Sequence, residues 1–155
     1  MGCGVRIREA TVADVDVIVS HRSSMFAEMG HGDETTRATM AAEARPFIEA
    51  ALEEGSYRGW LVEDERRIVA GGGLLIVGFP PTPRDPNPRR VWILNMYTDP
   101  PDRRRGLAKE LLLAMIAWCR QEGFRSVHLH ASEAGRPLYA QLGFRPTSEM
   151  QLVLE

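Results

Sequence analysis

The sequence predicts a mixed α/β fold of the α+β kind, and three observations carry that prediction. One alternating stretch near the start is followed by two helical regions. Three strand-like runs then succeed one another with only a turn or a loop between them. After them come a long apolar helix, a further strand, a short helix and a last alternating stretch. Such an order implies antiparallel hairpins early in the chain and a crossover helix later. The 155 residues read as one domain, residues 1–155, large enough to bury a core.

Residues 5–9 (VRIRE) alternate apolar and charged side chains, as a half-buried strand does. Thr11 is placed to cap a helix, with Asp14 three positions on in the capping-box role usually held by glutamate. That helix carries Val12, Val15, Val19, Met25 and Phe26 and is expected to stop at Gly30. A polar linker, HGDETT, spans residues 31–36. The second helical region is expected to be interrupted near Pro46, with Phe47, Ile48, Ala51 and Leu52 on its apolar side and Gly55 at its end.

Residues 57–63 and 68–79 read as strands separated by the charged turn Asp64-Glu65-Arg66-Arg67. Gly71-Gly72-Gly73, inside the second strand, marks a bulge or a close backbone approach. Residues 80–90 (PPTPRDPNPRR) form an exposed, stiff loop of the kind that can border a binding site. Residues 91–98 make the central strand. The helix over residues 106–122 is apolar nearly all round and should lie buried, with Lys109, Glu110, Arg120 and Gln121 as its exposed edge. Residues 149–155 alternate well enough to return as a last strand.

Composition narrows the function. A hydrophobic fraction of 44% and a charged fraction of 26% are those of a soluble globular protein. The net charge of −2 and pI near 6.1 supply no basic field for nucleic acid or an anionic membrane. Cys3 and Cys119 offer neither metal spacing nor a disulfide framework, so no metal and a reducing cytoplasm are expected. The N-terminus lacks an apolar signal core, and no stretch is long enough to span a membrane. Met1-Gly2 opens as a myristoylation signal does, but Arg6 stands where that signal wants Ser or Thr.

The chemistry concentrates in residues 95–110, NMYTDPPDRRRGLAKE. A strand ends at a proline turn; a basic turn containing Gly106 follows, and then a helix begins. The first N–H groups of a helix have no intrahelical partner and favour an anion ahead of them. Gly106 lets backbone approach that anion closely. The spacing is neither G-x-x-x-x-G-K-[ST] nor G-x-G-x-x-G, the phosphate loops of nucleotide sites. It is Arg103-x-x-Gly106-x-Ala108. Downstream, residues 127–142 (VHLHASEAGRPLYAQL) run into Gly143-Phe144 as strand, small-residue turn and short helix.

These two segments, in this order, resemble the acetyl-coenzyme A motif and the second cofactor segment of the GNAT N-acetyltransferase superfamily. The resemblance implies the GNAT fold, a central twisted mixed sheet of about six to seven strands flanked by about four helices. It also implies transfer of an acetyl group from acetyl-CoA to a primary amine of a small molecule or peptide by direct attack. Met96, Tyr97 and Thr98 fall where the family's central strand pairs its backbone with the pantetheine arm and thioester carbonyl. Arg103, Arg104, Arg105, Gly106, Leu107, Ala108 and Lys109 match the pyrophosphate turn. Ser132 stands where many members carry an asparagine that bonds the pantetheine arm; otherwise it caps the helix leading to Tyr139.

Tyr139 is implied as the general acid beside the cofactor sulfur, since a phenol with pKa near 10 keeps its proton at neutral pH. The attacking amine must lose a proton. Asn95, where some members place a carboxylate, cannot accept one. The titratable candidates are His128 and His130, which share one face of their strand, and Glu28, His31, Asp33 and Glu34. Of these, His130 joins Tyr139 in the catalytic set. In the family, the region joining the first two helices lies over the thioester end of the cofactor groove. Here Met25, Glu28, Met29 and Asp33 are therefore expected to bind the acceptor, an apolar body with a cationic amine. Two other readings stand beside the enzyme: a non-catalytic acyl-CoA sensor, and an interaction module whose arginine turn meets an acidic protein. A homodimer is left open.

Overall fold

The computed structural model describes residues 4–154; Met1, Gly2, Cys3 and Glu155 lie outside the described residues. Strands β1 (Arg6–Glu9), β2 (Tyr57–Asp64), β3 (Arg67–Gly78) and β4 (Arg89–Thr98) form one sheet in that order, every neighbour antiparallel. Helices α1 (Val15–Glu28) and α2 (Glu34–Glu54) precede β2; α3 (Leu107–Gln121) and α4 (Arg136–Gln141) follow β4. The β2–β3 turn places Glu65 and Arg66 at φ 47° and 70°, the left-handed pair that suits a two-residue hairpin.

Two apolar clusters hold the layers together. Trp60, Val62, Val69, Leu74, Val91 and Ile93 of the sheet meet Leu107, Leu111, Leu112, Met115 and Cys119 of α3. Val15, Ile18 and Val19 of α1 and Ile48 and Ala51 of α2 gather around Tyr57 in the second cluster. Each fully buried leucine or methionine contributes about 1.5–3 kcal/mol relative to leaving it in water.

Four expectations change. Pro46 does not interrupt its helix: α2 runs unbroken from Glu34 to Glu54. Pro46 and Ala42 are both exposed, so water can satisfy the carbonyl that loses its donor. Phe47 is 56% exposed, because Ile48 and Ala51 take the buried side of α2. α3 is one-faced, not apolar all round, with Leu113 (48% exposed) and Ala117 facing outward. Among the described residues the sheet has four strands, fewer than the family resemblance implied.

Among the described residues, 127–130 pair their backbone with the sheet only through a parallel bridge, Trp92 to His128. Residues 149–154 form no ladder, and Met150, Leu152, Val153 and Leu154 stand exposed. Alternation shows which side of a stretch could be buried, but a strand also needs a neighbouring edge with free N–H and C=O groups.

The feature that positions the site is a bulge in β4. Gly71 pairs with Tyr97 but Gly73 pairs with Leu94, so Asn95 and Met96 together oppose Gly72. Asn95 takes φ 59°, a left-handed angle that asparagine tolerates better than most residues. The glycine run makes this possible. A Cβ at Gly73 would fall on the Tyr57 hydroxyl. With none there, the Tyr57 ring crosses β3 and its oxygen accepts from Asn95 Nδ2 at 3.0 Å.

Candidate active site

β4 and the second segment stay together only briefly. Ile93 N donates to the His128 carbonyl at 2.8 Å, and His128 N donates to Val91 at 3.0 Å. Beyond that bridge the two part, and a cavity of about 1380 Å³ opens between them. It is lined by α1, β4 from Ile93 to Thr98, the turn and first residues of α3, residues 129–135, and α4.

The turn before α3 is built to present backbone. Gly106 takes φ 76° with open space where a Cβ would be. Glu110 N makes the first bond of the helix, to the Gly106 carbonyl at 3.1 Å. The N–H groups of Leu107, Ala108 and Lys109 are left without helical acceptors, at the positive end of the α3 dipole. The buried Asp102 braces the turn, accepting from Arg67 (3.0 Å) and Arg105 (2.7 Å).

The basic residues divide. Arg104 and Lys109 line the cavity and meet no carboxylate among the described residues. Arg103 also lines it, but its Nη2 pairs with Glu28 at 2.5 Å and its Nε donates to the Thr98 carbonyl at 3.0 Å. Arg105 is a correction: it is absent from the lining, and its guanidinium is spent on Asp102 and on Asp64 (2.9 Å).

On the opposite wall, Ser132 Oγ accepts from Gly135 N at 3.1 Å, so it caps the approach to α4 while lining the cavity. Tyr139 packs edge-on to Phe144, and its hydroxyl makes no hydrogen bond among the described residues. Burial pushes its phenol above the ordinary tyrosine value. His128 and His130 both lie 5.0 Å from the Trp92 ring. Only His130 lines the cavity, exposed and 3.3 Å from Glu149. His128 bonds Ser126 instead, and burial and then Arg90 hold its pKa down.

The chain's likeness to known proteins agrees with this geometry. The sequence pattern of the Acetyltransferase (GNAT) family matches residues 24–144. The chain belongs to the GNAT acetyltransferase family. A GCN5-related N-acetyltransferase from Ralstonia eutropha JMP134 superposes with a TM-score of 0.92 at 37% identity, over 97% of this chain and 99% of that one. A predicted acetyltransferase from Clostridium acetobutylicum, solved with acetyl-CoA, gives 0.90 at 26% identity, over 97% and 96%. Human N-acetyltransferase 8 is 26% identical over 72% of this chain, which spans only 48% of that protein's length.

In this GNAT chain the acceptor residues expected from sequence are only partly gathered. Met25, Glu28, Met29 and His31 line the cavity. Asp33 does not, because its carboxylate caps α2 by accepting from Thr36 N (2.8 Å) and Thr36 Oγ1 (2.9 Å). Glu34 and the loop of residues 80–90 also stay outside the lining. Sequence reasoning missed Arg22. Its signal was there: Arg22, Met25, Phe26 and Met29 share one helical face by spacing, a charge on an otherwise apolar stripe.

Proposed function

We propose that this GNAT chain is an acetyl-CoA-dependent N-acetyltransferase acting on a primary amine of a small molecule or peptide. The observation that carries the reading is convergence: the open Gly106 turn and the Tyr139 phenol line one cavity from opposite walls. The residues present suit coenzyme A. Free N–H groups at the start of α3, with Arg104 and Lys109, would hold pyrophosphate. The edge of β4 beyond Ile93 would meet the pantetheine arm. When bound, acetyl-CoA supplies an activated carbonyl and a sulfur leaving group.

The protein's own part is to place and move charge. A β4 N–H near the bulge, aimed at the carbonyl oxygen, would stabilise the negative charge that grows there on attack. Tyr139 holds its proton at neutral pH and can give it to the departing sulfur. His130, on the rim, is the group of this reading that takes up the amine's proton. The interaction-module alternative is weakened, because Arg103 and Arg105 are already committed to carboxylates of this chain. A homodimer and a cytoplasmic setting belong to the same reading. The exposed Met150, Leu152, Val153 and Leu154 support the first, and light scattering tests it.

The deciding experiment is acetyl-CoA calorimetry together with coenzyme A release across an amine panel. Binding with amine-dependent release is the expected result. Binding without release would make the protein a sensor, and absence of binding would overturn the cofactor assignment.

A further inference from the structure

We propose that Arg22 docks a carboxylate on the acceptor, so that this site selects apolar amines that also carry a free carboxylate. The inference rests on reading the cavity as the acetyl-transfer site, and it names the acceptor class.

Arg22 lines the cavity beside Met25, Phe26 and Met29, the apolar stripe of α1. It is half-buried, and no carboxylate of the described residues lies within ion-pair distance of it. Arg8, Arg45, Arg58, Arg67, Arg90, Arg103 and Arg105 each have one. Its one hydrogen-bond partner among the described residues is neutral: Nη1 donates to Asn95 Oδ1 at 2.8 Å. Asn95 is held in turn by Tyr57, to which its Nδ2 donates. The guanidinium carbon sits 4.9 Å from the Phe26 ring centre, which offers a weak counter-field and no acceptor.

A guanidinium has five N–H donors in a planar fork that matches a carboxylate. One is used here. Burying such a cation without an opposite charge is unfavourable, and burial does hold Arg22 below its ordinary pKa. A bound carboxylate would take two more of these donors and neutralise the charge.

The carboxylates once expected to attract a cationic acceptor are occupied. Glu28 is paired with Arg103, and Asp33 caps α2. What remains on this wall is one cation set among apolar side chains. That pattern fits an acid with a hydrophobic body, and the acid anchor would also orient the amine.

The experiment needs no turnover. Wild-type protein, with and without saturating coenzyme A, is titrated by calorimetry with N-acetyl-L-leucine and with its methyl ester. The two probes share a body and differ in the charge. The acid should bind about tenfold or more tightly than the ester, as charged hydrogen bonds do. Arg22→Met should reduce the acid to the ester's level, and Arg22→Lys should keep part of the preference. Equal affinity for acid and ester, or no binding of either, overturns the proposal in the unmutated protein. So does a preference that survives Arg22→Met. Failure of coenzyme A to bind while the acid preference persists would overturn the acetyl-transfer reading and leave the anion site standing.

Discussion

Two walls of the cavity are built in different ways. The wall proposed to hold pyrophosphate comes from one unbroken stretch, Thr98 to Lys109, and works mainly through backbone N–H groups. The wall proposed to hold the acceptor is assembled from α1, β2 and β4. Arg22 and Asn95 are 73 positions apart, and Asn95 and Tyr57 are 38 apart. A backbone device needs only the right residues next to one another. A side-chain device needs the whole sheet and helix packing to be correct first. The first kind should therefore fail by local changes that leave the fold intact, and the second should couple binding to stability.

The largest effect is expected on the local wall. Gly106→Glu sets a bulky, negative side chain at a φ of 76°, where the backbone is proposed to meet pyrophosphate. Acetyl-CoA binding should vanish by calorimetry while the far-ultraviolet spectrum stays that of the folded protein. Unchanged affinity in a folded variant would remove the turn from the cofactor site.

Tyr139→Phe tests the α4 side of the cavity, across from the Gly106 turn. Only a hydroxyl is lost, and that hydroxyl bonds nothing among the described residues. kcat should fall by about 10² to 10⁴, the usual worth of a positioned general acid, with acetyl-CoA Kd little changed. Burial raises the wild-type phenol above its ordinary value, so the protonated donor persists through neutral pH. The part of the wild-type pH profile that belongs to Tyr139 should be a decline of kcat at alkaline pH, as the phenol ionises, and the phenylalanine variant should lack that decline. Full kcat in the variant would exclude the hydroxyl from the mechanism.

Tyr57→Phe sharpens the assembled wall. Tyr57 is buried, and its phenol is pushed up to about 12, so it is neutral in the folded protein. Removing the oxygen leaves Asn95 Nδ2 without its acceptor, at a cost of about 1–3 kcal/mol. For a chain of this size that is a Tm lower by roughly 2–4 °C per kcal/mol. Thermal unfolding reads the loss, and an unchanged Tm would show that the bulge does not depend on this bond.

The smallest effects separate the arginines. Glu28→Gln releases Arg103 from an exposed pair, so acetyl-CoA should bind a few-fold more tightly at low salt, with little change at high salt. Arg105→Met should lower Tm, because Asp102 loses one of its partners, and leave acetyl-CoA Kd unaltered. A large loss of affinity in Arg105→Met would return that residue to the cofactor site.

What neighbouring residues decide was readable in the sequence. Thr11 N donates to Asp14 Oδ2 at 2.8 Å, as the capping spacing predicts. Gly55 ends α2 in a left-handed conformation, and the glycine run in β3 does sit opposite a bulge. Strand periodicity located β2, β3 and β4 to within a residue or two, because burial on a sheet alternates with the backbone pleat. The tertiary structure decided the rest. Pro46 could be passed only because its face of α2 meets solvent, and residues 149–154 joined neither edge strand of the sheet. Arg105 left the cavity because folding brought Asp64, 41 positions away, within reach of it. Arg22 entered the cavity because the Asn95 bulge turned an amide toward it and Gly73 let Tyr57 hold that amide in place. Each outcome depends on distances between residues remote in the chain, which composition and spacing do not contain.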